Sequence, residues 1–378
     1  MNRLRLLCLL PDLNGGGAER MMLYLARGLA RTRWDITLAL GLKRGPYLPL
    51  VPDDIRFLEL GRSRGRTAVL DVARLLHEGR YDLCFSMVSM NLAAVLARAL
   101  AHDPVRLVLG ARNHYSRSLP AEASAARLKM LAIRVLYPRA DLVIGVSEGV
   151  ADDLVTHFGI PRAKVRAIHN PIDLERVHSQ AAAPLDDPWF ASDAGIPVLL
   201  AVGKLQAAKG YPDLIEAFRT VRAARPARLV ILGQGPDREA LEAQVARAGL
   251  GQDVRFLGFD ANPYRWLARA AVFVHAAHWE GFPNVLVEAM ACGAPVVSTD
   301  CPSGPAEIIT DGRDGFLVPV GDTAAHAART LALLGDPDLR ARIRMAATVR
   351  VQDFTASRIL ERYAAAFEEV VGRSNRTI

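Results

Sequence analysis

A chain of 378 residues is too long for a single small module and, at roughly 150 residues per domain, points to two domains. With 51% hydrophobic and 23% charged residues it holds enough apolar material for sizeable cores, which excludes a disordered chain. Its formal excess of +7 lies wholly in the first half: residues 1–175 carry 25 Lys and Arg against 17 Asp and Glu, and residues 176–378 carry 22 against 23.

The run Leu4–Leu10 reads as a first strand. It is interrupted by Arg5 and closed by Pro11-Asp12, too short for the core of a signal peptide, and no stretch approaches the roughly 18 apolar residues of a spanning helix. Further strands read at Ile36–Leu40, Ile55–Leu60, Asp82–Phe85, Leu107–Leu109, Leu142–Val146 and Val165–Ile168, with helices at Ala18–Ala30, Ala68–His77, Leu92–Ala101, Ala123–Leu136 and Glu148–His157. A second series has strands at Val198–Val202, Arg228–Leu232, Val254–Leu257, Val272–His275 and Pro295–Ser298, and helices at Tyr211–Ala223, Arg238–Ala248, Pro263–Arg269 and Val285–Ala291. After Gly335 the pattern is helical and ends in an amphipathic segment around Ile359, Tyr363 and Phe367. Short apolar runs alternating with helical segments are the signature of βαβ units, so the fold class is α/β: two Rossmann-like doubly wound domains. The expected limits are 1–177 and 197–352, joined by a linker at 178–196 where Ala-Ala-Ala-Pro, Asp-Asp-Pro and Ser-Asp-Ala-Gly cluster, with 353–378 a helix returning to the first domain. Two such halves place a cleft between them, where small ligands bind at the carboxyl ends of strands.

A basic half suits an anionic partner, whether nucleic acid, membrane surface or phosphorylated substrate; an Arg-rich solvated surface is the plainer alternative. Nucleic acid is disfavoured, because no block of five like charges occurs and aromatic residues make up only 6%. Cys8, Cys84, Cys292 and Cys301 show no metal-ligand spacing and read as reduced, mostly buried thiols of a cytoplasmic protein.

Three segments carry chemistry. The first strand runs into Asn14-Gly15-Gly16-Gly17-Ala18-Glu19-Arg20 and a helix, where glycines admit a ligand to the backbone and the helix terminus favours an anion; a tight turn needs glycine anyway. Gly203-Lys204-Leu205-Gln206-Ala207-Ala208-Lys209-Gly210 opens the second domain the same way with cations. Its two lysines, among few in an Arg-rich chain, either converge on one diphosphate or are surface charges. In His275-Ala276-Ala277-His278-Trp279-Glu280-Gly281-Phe282-Pro283-Asn284-Val285-Leu286-Val287-Glu288-Ala289-Met290, Glu280 lies in a loop after a strand and Glu288 one turn into a helix, on the face of Asn284. A carboxylate there can accept two hydroxyls of a ribose or sugar; Phe282, Val285 and Met290 also read as packing.

With Asp300-Cys301-Pro302-Ser303-Gly304-Pro305-Ala306-Glu307-Ile308, these segments resemble, in order and over nearly the whole chain, the retaining glycosyltransferases of family 4 with the GT-B fold. The resemblance implies a nucleotide-sugar donor held mainly by the second domain, an acceptor held mainly by the first, and no metal or other cofactor. Lys204 and Lys209 would neutralise the diphosphate, Glu288 would hold the ribose and Glu280 would contact the donor sugar. Gly281, Phe282, Asn284 and Val285 would line sugar and phosphates, and Gly16 and Gly17 would approach the donor from across the cleft. The chain departs from the family in two places: Lys204 stands where Arg is common, and in Gly110-Ala111-Arg112-Asn113-His114-Tyr115 Arg112 takes the usual His position with His114 two residues on. Arg112, Asn113 and His114 are therefore candidates for the donor site, Arg112 or His114 taking the catalytic part. The Asp300–Ile308 string is similar to members using UDP-linked hexoses or N-acetylhexosamines; a GDP-mannose-type mannosyltransferase or a non-catalytic sugar-nucleotide or lipid-binding subunit are the alternatives. Arg127, Lys129 and Arg134, among the apolar residues of Ala123–Tyr137, and Arg62, Arg64 and Arg66 fit a lipid-linked glycan acceptor at an anionic membrane face; an ordinary helix with a basic outer side fits the first three equally.

Overall fold

In the computed structural model of the protein, residues 3–14, 16–30, 33–62, 65–102, 104–119, 123–191 and 195–372 are described, Arg66 by its backbone alone. The chain forms two units, Met1–Pro171 with Ala356–Ile378, and Ile172–Thr355.

The first unit runs β1 (Leu4–Leu10), α1 (Gly17–Ala30), β2 (Trp34–Leu40), β3 (Arg56–Glu59), α2 (Val69–Gly79), β4 (Leu83–Met87), α3 (Met90–Ala101), β5 (Arg106–Ala111), α4 (Tyr115–Ser118), α5 (Ser124–Leu136), β6 (Leu142–Gly145), α6 (Glu148–Thr156) and β7 (Val165–Ala167). All its strand pairs are parallel, in the order β3-β2-β1-β4-β5-β6-β7. Central parallel strands are covered on both faces and so read as unbroken apolar runs, which is why Leu6 to Leu10 are all fully buried. β1 has β2 on one side and β4 on the other, so the strand order reverses there and the loops after β1 and β4 open at one edge.

The second unit holds α7 (Leu174–Ala181), β8 (Val198–Val202), α8 (Tyr211–Ala224), β9 (Arg228–Leu232), α9 (Arg238–Arg247), β10 (Val254–Gly258), α10 (Tyr264–Leu267), β11 (Val272–His275), α11 (Asn284–Ala291), β12 (Val296–Thr299), α12 (Pro305–Ile308), β13 (Phe316–Val318), α13 (Thr323–Gly335) and α14 (Pro337–Arg350); α15 (Ala356–Gly372) belongs to the first unit. The sheet order β10-β9-β8-β11-β12-β13 is again wholly parallel, and its switch point lies between β8 and β11.

Five of these elements go beyond the sequence reading: α4, α7, α12, β13 and α13. β13 is a three-residue edge strand, too short to show a period. The buried face of α13 is built from His326, Ala327, Thr330, Leu333 and Leu334, and its polar members blur the apolar stripe. Residues 178–196, read as a linker, belong to the second unit and begin inside α7. Among the described residues no helix is long and apolar enough to cross a membrane, and all four cysteines are free thiols.

Candidate functional site

The switch point of the second sheet brings two loops together. Lys209 ends a short 3-10 turn at Ala207–Lys209, and the chain then passes through Gly210 at φ +61°, where a Cβ would overlap the carbonyl oxygen of Ala276. Only glycine lets the loop after β8 press so closely on the loop after β11. The His278 amide donates to the Ala208 carbonyl at 2.8 Å, and His278 Nε2 lies 2.8 Å from Asp213 Oδ2 in the first turn of α8. These contacts lock the two loops and aim their side chains at one another.

Lys209 Nζ donates to Glu280 Oε1, and His275 Nε2 lies 3.1 Å from the same oxygen. His275 Nδ1 is 2.9 Å from Ser298 Oγ on the neighbouring strand, where the two residues are partners in register. Burial pushes the Glu280 carboxyl up, but Lys209 and then His275 outweigh it and hold the group at about 2. The same burial holds His275 below its usual range, against the pull of Glu280. The result is a carboxylate kept charged in a largely covered pocket, its side chain 11% exposed.

Behind Glu280, its amide donates to the Pro302 carbonyl at 3.3 Å, and Ser303 Oγ donates to the Gly281 carbonyl at 2.8 Å. The Asp300–Pro305 segment thus backs the Glu280 loop. Gly281 and Phe282 lead into α11; Phe282 is buried, its ring 5.7 Å from that of Phe354, whereas Asn284 and Val285 are part-exposed in the first turn. Glu288, half-buried on α11, accepts a hydrogen bond from the Tyr264 hydroxyl at 3.1 Å. Lys204 is exposed on the same loop as Lys209.

The other sequence candidates belong to the first unit. Gly16 and Gly17 are exposed at the carboxyl end of β1, with Glu19 folded against Gly16. Arg112 follows β5, part-buried, hydrogen-bonded to Asn170 Oδ1 and beside Tyr363, while Asn113 is exposed. His114 is buried and turned to α6, its Nδ1 3.2 Å from Ser116 Oγ and 3.5 Å from Asp153 Oδ1. Burial holds it below its usual range although Asp153 pulls the other way. Gly15 and Arg64 lie outside the described residues, as does the side chain of Arg66.

Motif reading passed over His275 and Ser298, and likewise His278, Asp213 and Tyr264. The alignment of two strand ends, at His275 and Ser298, was the one signal that could have found the first pair.

Two parallel Rossmann-type sheets are the architecture of the GT-B fold, and the second carries a cationic loop and a carboxylate loop that meet at its switch point. Residues 15–176 match the family profile described as Glycosyltransferase Family 4, and residues 196–336 match Glycosyl transferases group 1. The N-acetylgalactosamine-N,N'-diacetylbacillosaminyl-diphospho-undecaprenol 4-alpha-N-acetylgalactosaminyltransferase of Campylobacter jejuni is 33% identical over 92% of this chain and 95% of its own. The amylovoran biosynthesis glycosyltransferase AmsD of Erwinia amylovora is 24% identical over 93% and 95%. Among solved structures, Anabaena HepE in complex with UDP and glucose superposes with a TM-score of 0.81 at 22% identity, covering 97% of this chain and all of that one. The chain belongs to the family 4 glycosyltransferases.

Proposed function

We propose that the protein transfers a hexose or N-acetylhexosamine, with retention, from a UDP-sugar to a lipid-diphosphate-linked glycan in the synthesis of a surface polysaccharide or related glycoconjugate, and needs no metal. The observation that carries this reading is the pairing of Lys209 with Glu280 across the switch point. It is supported by the relative of 33% identity, whose name describes addition of N-acetylgalactosamine to an undecaprenyl-diphosphate-linked sugar.

In this reading Lys209 and the exposed Lys204 meet the donor diphosphate. As the bond from the sugar to the diphosphate loosens, its electron pair leaves with UDP and the two ammonium groups take up the developing charge. The acceptor hydroxyl attacks the same face, and its proton ends on the departing phosphate. Glu280 accepts from the donor sugar and Glu288 from the ribose, while Gly281, Phe282, Asn284 and Val285 line sugar and phosphates. In the first unit, Gly16, Gly17, Arg112 and Asn113 are the proposed donor contacts; His114, turned to Asp153, serves the loop that carries Arg112 and Asn113. The first unit also meets an anionic membrane face at the cytoplasmic side through the exposed Arg127, Lys129 and Arg134 of α5.

The test is a donor panel read by nucleotide release against a lipid-diphosphate sugar acceptor. UDP release with one hexose or N-acetylhexosamine donor is expected, and Lys209→Ala should cut it by about 100-fold or more while the fold stays intact by circular dichroism. Tight nucleotide binding without release from any donor, or near-normal turnover in Lys209→Ala, would overturn the proposal.

A further inference from the structure

The pairing of Glu280 with two donors leaves an asymmetry in its carboxylate. Lys209 Nζ and His275 Nε2 both reach Oε1. Oε2 takes no hydrogen bond among the described residues, and it is not sealed from solvent. A carboxylate in that state has one oxygen tied to the protein and one offered outward.

The hydrogens behind it can be worked out from the geometry. Glu280 is charged, so a bare Nε2 lone pair 3.1 Å from its oxygen would be repulsive; Nε2 must carry a hydrogen. A hydrogen on Nδ1 as well would make an imidazolium. The ring is buried, and Lys209, already at Glu280, opposes a second positive charge. Nδ1 is then an acceptor, and the group 2.9 Å away is the Ser298 hydroxyl. That hydroxyl has one hydrogen and two acceptors in range, Nδ1 and the Thr299 carbonyl at 3.0 Å. Turned to Nδ1, it sets the tautomer that Glu280 requires. The groups facing this array are Lys209 from the loop after β8, Tyr211 of α8, Ser298 of β12, Cys301 after β12 and His326 of α13, whose ring lies beside the His275 backbone.

We infer that His275 is a positioning residue: neutral, protonated on Nε2 and held in that tautomer by Ser298, it pins Glu280 Oε1 and turns Oε2 to the hydroxyls of the donor sugar. The inference rests on the proposed reading of Glu280 as the sugar contact. His275 itself touches no substrate. It fixes the angle of a carboxylate whose other partner, Lys209, also serves the diphosphate in the proposed reading.

Two measurements test this. In protein labelled with 15N-histidine, the ring signal absent from His275→Gln should show a protonated Nε2 and a bare Nδ1; a hydrogen on Nδ1 would overturn the inference. With the UDP-sugar found in the donor panel, His275→Leu should lower kcat by about 10- to 100-fold while the Kd for UDP alone stays within about threefold. His275→Gln, which keeps an N–H donor, should recover most of that loss, and Ser298→Ala should fall between. Unchanged kcat in His275→Leu, or equal losses in the Leu and Gln variants, would overturn it. Should His275→Leu fail to fold, His275→Gln and Ser298→Ala carry the kinetic test. If the wild-type protein turns over no donor, the proposed function fails, and the tautomer measurement still decides the state of His275.

Discussion

Burial favours the neutral form of both Glu280 and His326, pushing the first up and the second down, and their partners decide the outcome. For Glu280 the two donors together outweigh burial, so removing either leaves a mostly buried charge with one partner instead of two. His326, 3% exposed on α13, has an Nε2 without a hydrogen-bond partner, and burial holds it neutral down to about 4. In the unfolded chain its pKa is near the ordinary histidine value of 6.5. Between those two values the unfolded state binds the extra proton, so its contribution to stability is present above about 6.5 and is lost as the pH falls towards about 4. The full difference is roughly 3 kcal/mol. We expect the urea midpoint of the wild-type protein to fall between pH 7 and pH 4.5 more steeply than that of His326→Leu. Parallel curves for the two proteins would show that His326 is not the group responsible.

At the scale of the element, α5 exposes what a helix on a sheet normally hides. Ala126 and Ile133 face inward, yet Leu128, Leu131 and Val135 are exposed at 68%, 57% and 48%. Their spacing places them on one side, with Arg127, Lys129 and Arg134 exposed around them. Leu96 and Leu100 of α3, the helix packed beside α5, are exposed as well. Apolar side chains ringed by cations suit the boundary of an anionic bilayer, where leucines enter the acyl region and arginines meet phosphates. The protein should co-sediment with vesicles containing anionic phospholipid, less so at high salt. The double variant Leu128→Ser, Leu131→Ser should bind at least about tenfold more weakly. Equal binding by the variant would remove α5 from the membrane proposal.

For the whole molecule, chain order and spatial order part company. After the second unit the chain returns to the first, and α15 completes its core: Phe367 lies 5.1 Å from Phe85 and 6.0 Å from Trp34, and Tyr363 lies 5.9 Å from Phe85, ring centre to ring centre. Both side chains are fully buried. Phe367→Ala should cost about 3–5 kcal/mol. Hydrogen exchange should then lose protection in β1, β2 and β4 while β8 and β11 keep theirs. Loss of protection in both units alike would mean that they unfold together.

The sequence by itself determined the two α/β series, the position of nearly every long strand and helix, and the family, because periodicity and glycine-bounded turns are properties of neighbouring residues. It also placed Lys209 and Glu280 on loops after strands. Tertiary structure alone decided that those loops adjoin, since strands β8 and β11 are neighbours only through a crossover. It decided too that His275 and Ser298, 23 positions apart, share a hydrogen bond, and that Arg112 meets Asn170 while His114 turns to Asp153. Such pairs depend on sheet order and register, which follow from how whole elements bury their apolar faces and leave no mark at the positions themselves.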